Sequence, residues 1–239
     1  MKKLLSLSLV LATLLGGCKV ATTSEDIFVL DVSQSIDADA EQQMFVVVED
    51  AAKQLHRGDT LSIIPITGNA EAELQGRTLR YAVPSAEDRQ AYDADLPKLN
   101  AQIRGDLERI QADALAHPGK RTDILGSIRV ALKVFSDKQT DKRLVVLSDF
   151  IQDDDQYNFR KDSRLATEED AVTFGEGIVL PKVNHPLVEV VLGRLRSNEF
   201  SALAPTRQRA INAFWGKVMA PAEVDPDGTG AVRRNPPSR

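Results

Sequence analysis

The amino-acid sequence predicts an α/β fold: a doubly wound, mostly parallel sheet with helices on both faces and a helical insertion. Short apolar runs typical of buried strands alternate with segments whose apolar residues recur every three or four positions, as in amphipathic helices. The run RLVVLSDF at 143–150 is apolar almost throughout, which is typical of a parallel strand buried on both faces. With 239 residues, of which 42% are hydrophobic, the chain can form one principal core.

The first half of the fold is predicted as strand, helix, strand, strand. The run DIFVL at 26–30 indicates a buried strand, and LSIIPI at 61–66 indicates a second. Segment 37–58 is predicted to be a helix, because Asp37 can cap it, Gly58 can end it, and its apolar residues share one face: Met44, Val47, Val48, Ala51 and Leu55. TLRYAV at 78–83 alternates in the manner of an edge strand.

A long charged segment, 84–121, is predicted to be a helical insertion. Its apolar residues repeat at helical intervals: Tyr92, Leu96, Leu99, Ile103, Leu107, Ile110 and Ala114. Proline disrupts helix interiors, so we expect Pro97 to mark a boundary between two helices. The next helix, at 122–135, is expected to be capped by Thr122 or Asp123.

The second half adds a long polar loop, a strand and a closing helix. Segment 151–176 is expected to be that loop with a short helix, and Asp153–Asp155 within it to be solvated. PLVEVVLG at 186–193 indicates a strand. Segment 205–219 begins with a proline and places apolar residues on one face, as a helix does. The proline-rich end, 220–239, is expected to be disordered.

The N-terminal segment 1–17 is predicted to be a signal peptide, because two lysines precede a short apolar run at 4–15. That run is shorter than the ~20 residues of a membrane-spanning helix. The sequence Leu15-Gly16-Gly17-Cys18 resembles the bacterial lipobox, which implies an acylated, palmitate-bearing Cys18 as the first mature residue, with 18–25 as a tether. Lys19 after the cysteine implies, in a Gram-negative cell, an outer-membrane lipoprotein that faces the periplasm.

Charge and cysteine content exclude several classes of protein. The formal charge of −5 becomes more negative by two when residues 1–17 and their two lysines are removed. A surface of this sign argues against nucleic-acid binding and against electrostatic attachment to anionic lipid, so membrane attachment is expected through the lipid alone. Because Cys18 is the only cysteine, the folded domain cannot form an internal disulfide.

Oxygen-bearing side chains follow the predicted strands. Asp31, Ser33 and Ser35 come directly after the first strand, Thr122 precedes a helix, and Asp149 ends the strand at 143–150. In parallel α/β sheets, ligands collect at the carboxyl ends of the strands where the strand order reverses. Carboxylate and hydroxyl oxygens suit Mg²⁺ or Mn²⁺, and the set lacks the thiolate or imidazole typical of zinc sites.

These motifs, Asp31-Val32-Ser33-Gln34-Ser35, Thr122 within RTDILGS and Ser148-Asp149-Phe150, resemble the von Willebrand factor A (VWA) domain with its metal-ion-dependent adhesion site (MIDAS). The resemblance covers about 26–219 and implies a Rossmann-like fold. It implies that Asp31, Ser33 and Ser35 hold a cation from the first loop, Thr122 from the second, and Asp149 from the third, often through water.

The chain departs from the family pattern twice. Segment 84–121 lengthens the distance between the serine motif and Thr122, which leaves Thr67, after the second strand, as the rival threonine. Ser-Asp-Phe replaces the more common Ser-Asp-Gly, so the shape of the third loop at Phe150 is open.

The resemblance implies binding, with no catalysis. Two carboxylates only balance a divalent cation, so the metal should attract a further carboxylate from an Asp or Glu of a protein partner. One alternative is a structural or assembly lipoprotein with a degenerate metal site. A less favoured one is a metal-dependent phosphoryl-transfer enzyme, since the aspartate nucleophile motif of such enzymes has a second aspartate where Ser33 stands.

Overall fold

The structure is a computed structural model that describes residues 23–68, 70, 78–84, 89–116, 121–183, 187–220 and 223–224. The predicted signal peptide, Cys18, and most of the predicted tether and tail lie outside these residues. Within the described part of the chain, no helix combines the length and the apolar character needed to cross a membrane.

The helices and strands follow the predicted alternation. The first half of the chain contains β1 (Ser24–Leu30), α1 (Ala38–Ala52), β2 (Thr60–Pro65), β3 (Leu79–Ala82) and α2 (Arg89–Ala116). The second half contains α3 (Ile124–Val134), β4 (Asp141–Ser148), α4 (Glu168–Glu176), β5 (Leu187–Arg194), α5 (Asn198–Ala202), α6 (Pro205–Val218) and β6 (Glu223–Val224). A short 3₁₀ helix, Ser163–Leu165, precedes α4.

The strands form one sheet in the order β3-β2-β1-β4-β5-β6. All neighbouring pairs are parallel except β2 and β3, and β3 lies at the edge as its alternation predicts. The strand order reverses between β2 and β4, on either side of β1. The predicted doubly wound α/β fold is therefore confirmed, and its reversal point lies at the carboxyl end of β1.

The two faces of the sheet carry separate cores. Ile27 and Val29 of β1 point into one core, which α3, α4 and α6 complete. Phe28 and Leu30 point into the other, which α1 and α2 complete. This alternation follows from the two-residue period of a strand, and burial on both faces explains why the run at 26–30 is continuously apolar.

The expected boundary at Pro97 is wrong, because α2 runs through it as one helix of 28 residues. Pro97 lies on the exposed face of the helix, where water can reach the carbonyl oxygen that loses its amide donor. The cost of proline in a helix interior, about 3 kcal/mol, must then be offset by packing elsewhere along the helix. On the opposite face, Ile103 and Leu107 are buried against the core that α1 lines, and this packing supports the helix on the C-terminal side of the proline.

Three other boundaries differ from prediction. Helix α1 ends at Ala52 instead of Gly58, and Gly58 (φ 81°) lies in the turn that leads to β2. Asp37 precedes α1 but makes no side-chain capping hydrogen bond. Glu223 and Val224, in the segment expected to be disordered, form β6 beside β5. The pairing of β6 with β5 joins segments far apart in sequence, which local patterns do not encode.

Candidate metal centre

Asp31 is fixed at the carboxyl end of β1. Its backbone amide donates to Leu147 O at 2.9 Å, which continues the ladder with β4. Its Oδ1 accepts the Ser33 amide at 3.0 Å, and its Oδ2 accepts the Ser148 hydroxyl at 2.6 Å. The side chain is completely buried. These donors orient the carboxylate but supply no positive charge to it.

Ser33 and Ser35 present their hydroxyl groups together. The two Oγ atoms are 2.9 Å apart, and the Ile36 amide closes the turn by donating to Ser33 O at 3.1 Å. Both side chains are half-buried. The alternating serines therefore bring two hydroxyl oxygens together in the loop that follows Asp31, and their role as ligands stays a prediction.

Asp149 is also buried, with 1% of its surface exposed. Its Oδ1 accepts the Ile151 amide at 2.9 Å. Its Oδ2 is buried and has no hydrogen-bond partner among the described residues. A buried carboxylate oxygen without a donor is costly, and such an atom beside a second carboxylate fits a site for a cation.

The electrostatics of the two carboxyl groups agree with this interpretation. Burial raises the pKa of Asp31. Burial, and then the charge of Asp31, raise the pKa of Asp149 to about 6, while the nearby hydroxyls of Ser35 and Ser197 oppose the increase. Each carboxylate therefore makes the other harder to ionise, and a bound cation would stabilise both ionised forms.

Phe150 shapes the third loop. It has φ 65°, a region that residues with side chains rarely adopt. Its amide donates to Ser148 Oγ at 2.9 Å, its ring is buried against Trp215, and its carbonyl accepts Trp215 Nε1 at 3.0 Å. The glycine of the more common motif is thus replaced by a residue whose strained backbone is held by packing and by a hydrogen bond from α6.

The structure places both candidate threonines on loops at this edge. The Ile66 amide donates to Leu30 O, so Thr67 directly follows the pairing of β2 with β1, and its Oγ1 is buried without a hydrogen-bond partner in the described part of the chain. Thr122 pairs through its backbone with Asp153, at 2.8 and 2.9 Å. Neither hydroxyl forms a hydrogen bond with Asp31 or Asp149 within the described ranges. The choice between the two threonines therefore stays a prediction.

Gln152 is a supporting residue that the sequence did not indicate. Its side chain is fully buried, and its Oε1 accepts the amides of Ile124 and Leu125 at 2.8 and 3.0 Å. Its Nε2 donates to Asp123 Oδ1, and the same Asp123 atom caps α3 by accepting the Gly126 amide. Gln152 thus joins the third loop to the start of α3. In the sequence, only the position of Gln152, three residues after Asp149, points to this supporting role.

The acidic run after Gln152 has local partners. Asp154 Oδ1 accepts two amides of its own turn, and Asp153 accepts from Asn158 and Arg160. Phe159 is buried in the aromatic cluster beneath the loop. Within the described ranges, no group of three or more His, Cys, Asp or Glu side chains could hold a metal. A cation at Asp31 and Asp149 would therefore need hydroxyl and water ligands as well.

Comparison with solved structures finds proteins of low sequence identity. Proximal thread matrix protein 1 from the mussel byssus is 16% identical, with a TM-score of 0.38 over 82% of this chain and 46% of that one. A structure of the same mussel protein with a zinc-occupied MIDAS motif is 14% identical, with a TM-score of 0.36 over 73% and 37%. A von Willebrand factor type A protein from Catenulispora acidiphila is 16% identical, with a TM-score of 0.39 over 81% and 43%. The chain spans less than half the length of these proteins.

No curated protein gives a significant match to the chain. Residues 27–152, just over half of the chain, match the von Willebrand factor type A domain family. The matched region begins in β1 and ends at Gln152, so it includes the first and third loops of the candidate site. The chain belongs to the von Willebrand factor type A domain family.

Proposed function

We propose that this protein is an extracytoplasmic lipoprotein whose VWA domain captures a protein partner through a divalent cation, Mg²⁺ or Mn²⁺. The observation that carries the proposal is the buried Oδ2 of Asp149, which has no hydrogen-bond partner within the described residues and belongs to a carboxyl group whose pKa the charge of Asp31 raises. A cation would give Asp149 Oδ2 a partner and would also reduce the repulsion between the two carboxylates.

The donor set fits such an ion. Asp31 and Asp149 would supply its charge balance, and Ser33 and Ser35 neutral oxygens, with Thr122 or Thr67 completing the set. When bound, the cation supplies a Lewis-acidic centre for one more oxygen ligand. The residues of this chain orient the site: Ser148 fixes Asp31, and Ile151 fixes one oxygen of Asp149. The ligand that completes the site is an Asp or Glu carboxylate of the partner.

The proposal includes no catalysis. Domains of this family generally act in binding. Enzymes that transfer phosphoryl groups through an aspartate have a second aspartate where this chain has Ser33.

The lipid on Cys18 would hold the domain at the cell envelope. In a Gram-negative cell, this would be the outer membrane, with the domain facing the periplasm. Labelling with a palmitate analogue tests this part, because the label should be lost in Cys18→Ser.

Calorimetric titration of Mg²⁺ and Mn²⁺ into the purified protein tests the metal site. We expect binding in the native chain and its loss when Ser33 and Ser35 are both changed to alanine. Ser163→Ala is the matched control, because Ser163 is exposed on the 3₁₀ helix and is not one of the predicted ligands. Equal binding by all three proteins would place the cation elsewhere, and absence of binding in the native chain would favour an assembly role with a degenerate site.

A further inference from the structure

Arg194 lies beside the candidate metal centre at the end of β5. Its Cα is paired with that of Ser148, the residue that donates to Asp31 and precedes Asp149. The Leu195 amide donates to Ser148 O at 2.9 Å, so the sheet continues to the end of both strands. The register therefore places Arg194 at the same end of the sheet as the two buried carboxylates, and the charge of Asp149 acts on its guanidinium group.

The surroundings of this guanidinium group are nearly all uncharged. Its Cζ lies 4.0 Å from the ring centroid of Phe200 and 5.6 Å from that of Phe150, and one of its terminal nitrogens donates to Asn212 Oδ1. Its Nε is buried without a hydrogen-bond partner in the described part of the chain. No ion pair within 4.0 Å joins Arg194 to a carboxylate of the described residues.

Arg194 is nevertheless charged at neutral pH. Burial lowers the pKa of its guanidinium group to about 10, and the charge of Asp149 opposes this shift. Cation–π contacts with the two rings and the hydrogen bond to Asn212 offset part of the cost of desolvating this cation, but its Nε has no partner among the described residues. An apolar side chain of similar length would pack on the same rings with no charge to desolvate. The position therefore suggests a role for the charge itself.

The charges of the cluster indicate what that role is. Asp31 and Asp149 alone would just neutralise a divalent cation. With Arg194 included, the ionised site has a net charge of −1, the cation-loaded site +1, and only a further carboxylate brings the total to zero. We infer that Arg194 is a built-in counter-charge with two effects. It lowers the affinity of the site for a cation alone, and it raises the affinity of the cation-bound site for an acidic group of the partner.

This inference rests on the proposed function, and its test separates the two. Mn²⁺ is titrated into the full-length protein, purified in detergent, with Arg194 unchanged and as Arg194→Met and Arg194→Lys. The methionine keeps an apolar chain against Phe200 but removes the charge, and the lysine keeps the charge. We expect Arg194→Met to bind Mn²⁺ about tenfold more tightly than the native protein, and Arg194→Lys to bind within about twofold of it.

The Mn²⁺-loaded proteins are then titrated with a capped Gly-Asp-Gly peptide, and with Gly-Asn-Gly as its uncharged match. Arg194→Met should bind the Asp peptide less tightly than the native protein does, the reverse of its change in Mn²⁺ affinity. A purely structural role for Arg194 would not move the two affinities in opposite directions. Any other combination overturns the inference, while Mn²⁺ binding by the native chain still supports the metal site.

A measurement on the native protein alone covers the case in which Arg194→Met does not fold, as judged by circular dichroism. The Asp peptide, but not the Asn peptide, should then increase the Mn²⁺ affinity of the native protein. If the Asp peptide leaves the Mn²⁺ affinity of the native protein unchanged, the inference is wrong. If neither the native chain nor a folded variant binds Mn²⁺, both the metal site and the role of Arg194 are wrong.

Discussion

The two ends of β1 both bury acidic side chains, but they compensate them differently. At the amino end, Glu25 is 2% exposed and accepts the Ser136 hydroxyl at 2.8 Å and an Arg80 nitrogen at 3.0 Å. Lys142 Nζ, which is completely buried, lies 3.8 Å from Glu25 Oε2 and also donates to Lys138 O at 2.6 Å. This acid is surrounded by cations that the chain itself provides.

At the carboxyl end, Asp31 and Asp149 have hydroxyl and amide partners, one buried oxygen without a donor, and no ion pair to a basic side chain of the described residues. The contrast distinguishes an acid that stabilises the fold from two acids that fit the proposed cation site. Since buried charges are costly unless paired, the unpaired end of the strand is where a cation from solution has a place.

Removing the internal cation should have the largest effect on stability. Lys142→Met is expected to lower the free energy of unfolding by about 3 kcal/mol, because it leaves Glu25 buried with an incomplete set of partners. Urea unfolding measures the change. Arg80→Met is the matched control: the Arg80 side chain is 45% exposed, so its loss should cost about 1 kcal/mol or less. Equal losses in the two variants would contradict the assigned role of Lys142.

Asp31→Asn tests the other end of the strand. It keeps the shape of the side chain but removes one of the two charges that would hold the cation. Loss of an outer-shell partner lowers metal affinity by about 10–100-fold, and we expect the loss of Mg²⁺ affinity in Asp31→Asn to be larger than this. Calorimetry measures this, and Asp50→Asn, on the exposed surface of α1, is the control. A variant that keeps its Mg²⁺ affinity would remove Asp31 from the site.

The carboxyl end should also make stability depend on pH. The pKa of Asp149 is raised to about 6 in the folded protein, so between about pH 4 and pH 6 the folded state binds more protons than the unfolded state. In the absence of cation, the free energy of unfolding should therefore fall by about 2 kcal/mol more in the native protein than in Asp149→Asn as pH rises through this window. Urea titrations at both ends of the window measure it, and saturating Mg²⁺ should remove the difference.

Ser148→Ala should have the smallest effect. The Ser148 hydroxyl lowers the pKa of Asp31 and orients Oδ2 without being a predicted ligand. Its loss should weaken Mg²⁺ binding by about tenfold, as expected for an outer-shell partner. Calorimetry beside Ser163→Ala checks the value. A loss as large as that of Asp31→Asn would indicate that Ser148 contacts the ion directly.

Sequence patterns were sufficient for the fold, while the assignment of Asp31, Ser33, Ser35 and Asp149 as metal ligands stays a prediction. Period-two and period-3.6 apolar spacing gave the order of strands and helices, and the residue types after β1 and β4 predicted which side chains would meet. The continuous helix through Pro97 could not be predicted, because propensity penalises the proline while packing of Ile103 and Leu107 on a distant helix decides the outcome. Gln152 was missed for a similar reason, since its partners are 27 and 28 residues away.

The sequence by itself therefore determined the α/β architecture, the acidic and hydroxyl chemistry after β1 and β4, and the family. Only the tertiary structure decided which charges lie near which. It paired Glu25 with Lys142 at one end of the sheet, left Asp149 Oδ2 without a donor at the other, and set Arg194 beside Ser148. The physical reason is that apolar periodicity is a local property of the chain, whereas the pairing of buried charges depends on strand register, which joins residues far apart in sequence.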